Sequence, residues 1–243
     1  MNYTWNWSIF WQLSPEGNGT YLDTLMSGLY WTMATALAAW ALALVLGGMI
    51  GIMRTLPSKG LQRLGAAYVE VFRNIPLLVQ LFLWYFVLPE LLPPSWGLWL
   101  KQIPDAPFYT SVVGIGCFTS ARVAEQIRAG ITTLPRGQAM ASTALGLTLP
   151  QTYRYILLPM ALRIVLPPLT SEFLNTVKNT SVALTISLME LTARTRAMQE
   201  FSFQVFEAFA AATLIYVLIN VVVVAVMRVI EHRVAVPGFN VGK

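Results

Sequence analysis

SGLYWTMATALAAWALALVLGGMIGIM, residues 27–53, contains no charged side chain. A helix satisfies its own backbone amides, and roughly 20 apolar residues carry it through the hydrocarbon core of a bilayer. This stretch meets that need with length to spare. The rest of the chain agrees with it: of 243 residues, 56% are hydrophobic and 11% charged, whereas a water-solvated domain carries about 25% charged residues. A soluble core of this size would still require a charged exterior. The solvent is therefore lipid, and the chain reads as an all-α polytopic membrane protein.

Four further segments can be read as spans. One runs over about 64–88, with Glu70 and Arg73 near its start. Another covers about 108–131 and carries Arg122 and Glu125. A third, about 162–188, holds Glu172, Asn175, Lys178 and Asn179, and Pro167-Pro168 is expected to break it. The last, 209–230, is apolar and rich in β-branched residues. Five transmembrane helices are thus predicted.

Cations set their direction. Arg54, Lys59, Arg63 and Arg73 fall between the first and second spans; Arg128, Arg136, Arg154 and Arg163 between the third and fourth; Arg228, Arg233 and Lys243 after the fifth. The alternate connections hold only Lys101, or Arg194 and Arg196. The positive-inside rule then puts the N-terminus outside and the C-terminus in the cytoplasm. Trp5, Trp7, Trp11, Trp31, Trp84, Trp96 and Trp99 gather near the predicted outer boundary, as an aromatic belt does.

Several chemistries are excluded. The basic residues form no stripe suited to nucleic acid, and Cys117 stands alone within an apolar run. The one histidine, His232, lies in the polar tail, so neither a metal cluster nor a nucleophile–base pair can be assembled, and no catalytic residue is assigned. No G-x-x-x-x-G-K-[ST] loop occurs, so any ATP chemistry belongs to another polypeptide. Residues 1–20 contain no Lys or Arg, and no cleavable leader is expected.

The stretch GQAMASTALGLTLPQTYRYILLPMALR, residues 137–163, lies between the third and fourth spans on the predicted cytoplasmic side. Its small residues would make a thin helix, and Gly146 is expected to permit a turn that a Cβ would obstruct. An amphipathic helix on the membrane surface is the other reading. The stretch resembles the cytoplasmic loop of ABC-importer permeases, E-A-A, three residues, G, nine residues, I-x-L-P. Met140-Ala141-Ser142 stands at E-A-A, Gly146 at the glycine, and Ile156, Leu158 and Pro159 close the pattern, so the acidic residue is lost and the spacing kept. In that family the loop docks on the ATPase subunit, a role the resemblance extends to Gly137, Met140, Ala141, Ser142, Gly146, Ile156, Leu158 and Pro159.

Two more stretches support the resemblance. VEVFRNIPLLVQLFLWYF, residues 69–86, looks like the R-N-x-P-L-L-V-Q opening of the polar amino-acid branch, with Gln80 entering the bilayer against protein. TSEFLNTVKNTSVALT, residues 170–185, is similar to a segment lining the family's translocation path. Glu172, Asn175, Thr176 and Asn179 share one helix face at i, i+3, i+4 and i+7. Polar groups so deep face protein or a wet cavity.

The resemblance covers residues 20–235 and extends to the tail RVAVPGFNVGK. It is greatest to permeases of glutamate/aspartate importers, and it implies the type I ABC-importer permease fold in a bacterial inner membrane. Its implied divisions are an outer segment 1–24, a transmembrane permease domain 25–231 with a coupling loop at about 132–160, and a cytoplasmic tail 232–243. The implied partners are ATP-binding cassette ATPase subunits, a second permease subunit, a periplasmic amino-acid-binding protein and the bilayer. The chain itself is expected to hold no cofactor, ATP being bound by the ATPase.

Arg122 sits about 14 residues, roughly 21 Å of helix rise, beyond Phe108. Most relatives in the amino-acid branch that this chain resembles carry Tyr there, whereas the glutamate/aspartate branch carries Arg. A guanidinium can hold a side-chain carboxylate bidentately. An ion pair with Glu125 at i+3, or with Glu172, is the competing role; the resemblance implies a substrate path past Arg122, Glu125, Glu172, Asn175, Lys178, Asn179 and Gln80.

Overall fold

The computed structural model describes residues 3–17 and 19–234. Nine helices are used below. They are α1 (Tyr21–Met53), α2 (Lys59–Asn74), α3 (Leu77–Leu91), α4 (Pro94–Gln102), α5 (Ala106–Thr133), α6 (Arg136–Ala144), α7 (Leu149–Ile186), α8 (Leu191–Ser202) and α9 (Val205–Val234). A 3₁₀ turn, Trp7–Trp11, precedes them. The polar tail beyond 234 lies outside the described residues.

By length and composition α1, α7 and α9 can each cross a membrane, and α2 with α3 would make a fourth span if the bent pair is one crossing. Along α9, Leu214, Val217, Leu218, Val221 and Val222 are exposed, a surface suited to lipid. Helix α5 is long enough, at 28 residues, but Arg122, Glu125 and Arg128 interrupt its apolar surface.

The second predicted span is not one straight helix. It bends by 101° between Asn74 and Leu77. Ile75 and Pro76 are extended there (ψ 125° and 141°), as the residue before a proline prefers. Pro76 then opens α3, where its missing N–H costs nothing. The other expectation about proline was wrong: Pro167 and Pro168 lie inside α7, and the helix continues through them.

Two prolines are accommodated by a wider turn instead. Leu83–Val87 and Tyr153–Leu157 are π turns, each followed by Leu-Pro, with Leu88 N–H donating to Leu83 O and Leu158 N–H to Tyr153 O. A proline in an α-helix clashes with the carbonyl four residues back. One extra residue in the preceding turn moves that carbonyl away.

The chain forms two compact units, each assembled from three separated segments. Unit 1 comprises residues 1–40, 76–116 and 175–222. Its core joins Ile9, Tyr21, Leu25, Leu191, Met198 and Ala208. Leu191 N–H donates to the buried Thr32 hydroxyl at 3.1 Å. A Cβ on Gly28 would lie 2.9 Å from Leu191 Cα, so these backbones meet closely. The N-terminal segment is pinned rather than loose: Tyr3 donates to Gln204 at 2.8 Å and to Glu207, Asn6 N–H donates to Glu207 at 2.7 Å, and Arg194 pairs with Glu16.

Unit 2 comprises residues 41–75, 117–174 and 223–243. Here Gly47 and Gly51, a G-x-x-x-G pair, face α5. A Cβ at Gly47 would stand 2.7 Å from Ser120 O, and one at Gly51 2.8 Å from Ala124 O. Only glycine permits that approach, the usual device for close helix contact in lipid. Tyr68 reaches the Ser120 hydroxyl at 2.8 Å beside it.

Candidate functional site

Within unit 2, Arg122 projects from α5 between the fully buried Ala121 and Val123. Its guanidinium lies 4.7 Å over the Phe118 ring, one turn earlier. The nearest carboxylate is Glu172 on α7, at 3.8 Å. That is a long ion pair, and the Arg122 side chain is 41% exposed. A guanidinium stacked on a ring and only loosely paired can take up a second carboxylate.

Glu125 is held differently. It accepts from Arg54, at the end of α1, and from Arg128 one turn along α5, both at 2.5 Å. Arg122 therefore faces Glu172 and not Glu125. The other predicted path residues belong to unit 1. Gln80 on α3 is buried, Asn175 and Asn179 on α7 are half-buried, and Lys178 is exposed. Thr176, on the same face as Asn175, is fully buried.

Also in unit 2, residues 136–163 form a helix–turn–helix. In α6, Met140 and Ala141 are exposed and Ser142 is buried. Gly146 N–H donates to Thr143 O at 2.9 Å and Leu147 N–H to Ser142 O at 3.0 Å, the paired bonds of a Schellman ending. Gly146 takes φ +78°, yet a Cβ on it would meet nothing within 4 Å. The expected steric obstruction is absent, and left-handed backbone is what requires glycine there.

Thr148 then caps α7, its N–H donating to Gln151 Oε1 at 2.8 Å. The connection thus ends sooner than 160, and Ile156, Leu158 and Pro159 lie within α7. Gly137 is exposed near the start of α6, with open space around it. Met140 in α6, Leu145 just after it and Leu149 at the start of α7 remain exposed, an apolar surface around the turn.

The sequence pattern of the binding-protein-dependent transport system inner membrane components matches residues 43–236. The chain belongs to this family. Among its relatives, the glutamate/aspartate import permease protein GltJ of Escherichia coli (strain K12) is 48% identical over the whole of both chains. The probable glutamine ABC transporter permease protein GlnM of Bacillus subtilis (strain 168) is 36% identical over 86% of this chain and 92% of its own. Among solved structures, an amino acid ABC transporter crystallised with histidines is 29% identical, with TM-score 0.74 over 88% of this chain and 95% of that one. An inward-facing MetNI methionine ABC transporter gives TM-score 0.74 at 18% identity over 88% of this chain and 97% of that one, a likeness of fold.

Membership makes the chain a membrane transport component rather than an enzyme. Among the described residues no cluster of His, Cys, Asp or Glu could hold a metal. Sequence reasoning missed three contributors. Phe118 was findable, being at i−4 from Arg122 on a helix. Arg54, opposite Glu125, and Thr152, opposite Ser142, carry no local signal of their partners.

Proposed function

We propose that this chain is the membrane-spanning permease subunit of an ATP-driven importer of glutamate and aspartate. The observation that carries the substrate is Arg122, loosely paired and partly exposed within α5. The extended identity to a glutamate/aspartate import permease supports the same reading. Within unit 2, Arg122 receives the side-chain carboxylate and Glu172 competes for the guanidinium; within unit 1, Gln80, Asn175, Lys178 and Asn179 line the path. Asn179 leaves that position uncharged, where the family resemblance gives many permeases for basic amino acids an Asp, and this favours an anion.

In this reading the bilayer is crossed five times, by α1, the α2–α3 pair, α5, α7 and α9. The N-terminal segment 1–24 is periplasmic and the tail 232–243 cytoplasmic. Helix α6, with Met140 and Ala141 outward and Gly146 in the turn after it, is the dock for an ATP-binding cassette ATPase, which holds the ATP. A second permease subunit completes the pathway, and a periplasmic binding protein delivers substrate. Vesicles containing the reconstituted complex, offered labelled glutamate, aspartate, glutamine and arginine, test it. Uptake of the two acidic amino acids is expected, and preference for glutamine or arginine would refute the assignment.

A further inference from the structure

Helix α6 has one buried residue, Ser142. Its hydroxyl donates to Ala139 O at 2.7 Å and accepts from the Thr152 hydroxyl at 3.1 Å. The next residue along α7, Tyr153, is buried too. Its hydroxyl donates to Thr55 O at 2.9 Å and lies 3.0 Å from the Thr55 hydroxyl. Thr55 in turn closes the end of α1, its N–H and its hydroxyl both donating to Ile52 O, at 2.9 and 2.8 Å. Two hydrogen-bonded links, Ser142 to Thr152 and Tyr153 to Thr55, are therefore joined by the backbone of α7 at adjacent residues, and together they connect α6 to the last turn of α1.

Packing leaves space beside this connection. A cavity of about 430 Å³ opens between the 55–57 turn and α6, bordered by Thr55, Pro57, Ala139, Thr143 and Tyr153. Hydrogen bonds, which are directional, are what connect the two sides of it. Tyr153 also begins the π turn near the start of α7, and such turns inside helices are frequent at functional sites. The joint sits where a displacement of α6 must enter the long helix.

We propose that Tyr153 is a positioning residue of the transport cycle, delivering movement of α6 to α1 through Thr55 as well as to α7. The proposal rests on the reading of α6 as the ATPase dock. Without the Tyr153 hydroxyl, α6 still binds the ATPase and ATP is still hydrolysed. Helix α1 no longer follows, so hydrolysis and import fall out of step.

The test is the ratio of ATP hydrolysed to labelled glutamate imported, in vesicles holding the full reconstituted complex. Tyr153→Phe is expected to raise that ratio about fivefold, the equivalent of one net hydrogen bond of about 1 kcal/mol, with assembly and basal hydrolysis unchanged. Thr55→Val raises it in part, because the carbonyl remains, and Thr55→Ser restores it. A merely structural hydroxyl would lower the yield of complex and leave the ratio alone. Cross-linking of Met140→Cys to the ATPase separates the two readings. If the cross-link forms while Tyr153→Phe keeps the wild-type ratio, this proposal falls alone; if no cross-link forms, the dock and the proposal fall together.

Discussion

Arg54, in the turn after α1, donates to Glu125 in α5, although 71 residues separate them in sequence. Arg128 donates to the same carboxylate. Two cations thus converge on one anion beside the Gly47–Gly51 contact, and Glu125 serves to lock α1 onto α5. Glu125→Ala leaves both guanidiniums without their partner, at a cost of about 1–3 kcal/mol. Thermal unfolding of the detergent-purified complex is expected to show a lowered Tm, with the apparent KM of the surviving complex unchanged. A normal Tm with a raised KM would return Glu125 to the substrate path.

The requirement at Gly146 is conformational. Its Cβ position is open, so size alone is no barrier, and the left-handed backbone costs an L-residue about 1–2 kcal/mol. Asparagine tolerates that region best after glycine, and β-branched residues tolerate it least. Uptake in vesicles should therefore fall in the order Gly146→Asn, Gly146→Ala, Gly146→Val, with membrane insertion intact. Equal loss in all three would show that contact with the partner, and not the turn, decides the matter.

Much of this fold was legible because lipid demands so much of a sequence. The apolar runs of α1 and α9 admit no other reading, and the small residues Ala139, Ala141, Ser142 and Ala144 mark the short helix α6. The break at Pro76 was harder, since Val69, Val71, Phe72 and Ile75 lead into it among Glu70, Arg73 and Asn74, and the dihedral preference before proline is what betrays it. Pro167-Pro168 misled for the opposite reason: a helix can continue through prolines when its surroundings meet the freed backbone groups. Pairings such as Arg54 with Glu125 depend on tertiary approach, and no local pattern encodes them.

Glu190 caps α8 from a fully buried position. Its carboxylate accepts from Thr192 N–H at 2.9 Å, Ala193 N–H at 2.8 Å and the Tyr216 hydroxyl at 3.1 Å. Burial nevertheless pushes its carboxyl above the ordinary range, outweighing these donors. The sign follows: a raised folded pKa means the fold favours the protonated form. That contribution is complete below the unfolded value, about 4.3, and is lost as pH rises through the folded one. Glu190→Ala removes the cap, worth about 1–2 kcal/mol. The Tm gap between wild type and variant is expected to be widest at acid pH and to narrow as pH rises. Parallel curves from pH 4 to 8 would contradict the buried-carboxyl account.

Arg122 and Glu172 provide the sharpest test of substrate recognition. Their 3.8 Å separation is longer than the two contacts that hold Glu125, so the pair can open without dismantling the helix interface. An arginine at the centre of a membrane helix costs about 2.5–3.5 kcal/mol on insertion scales, and a stacked, loosely paired guanidinium recovers little of that from structure alone. If its use is to receive the substrate's side-chain carboxylate, Arg122→Tyr lowers kcat/KM for glutamate uptake about 10- to 100-fold, the range for a lost charge-assisted bond. Assembly and basal ATP hydrolysis stay near wild type. Glu172→Gln removes the competitor, so the apparent KM for glutamate falls. A structural pair behaves otherwise: both variants then lower the Tm of the complex, and neither moves the KM.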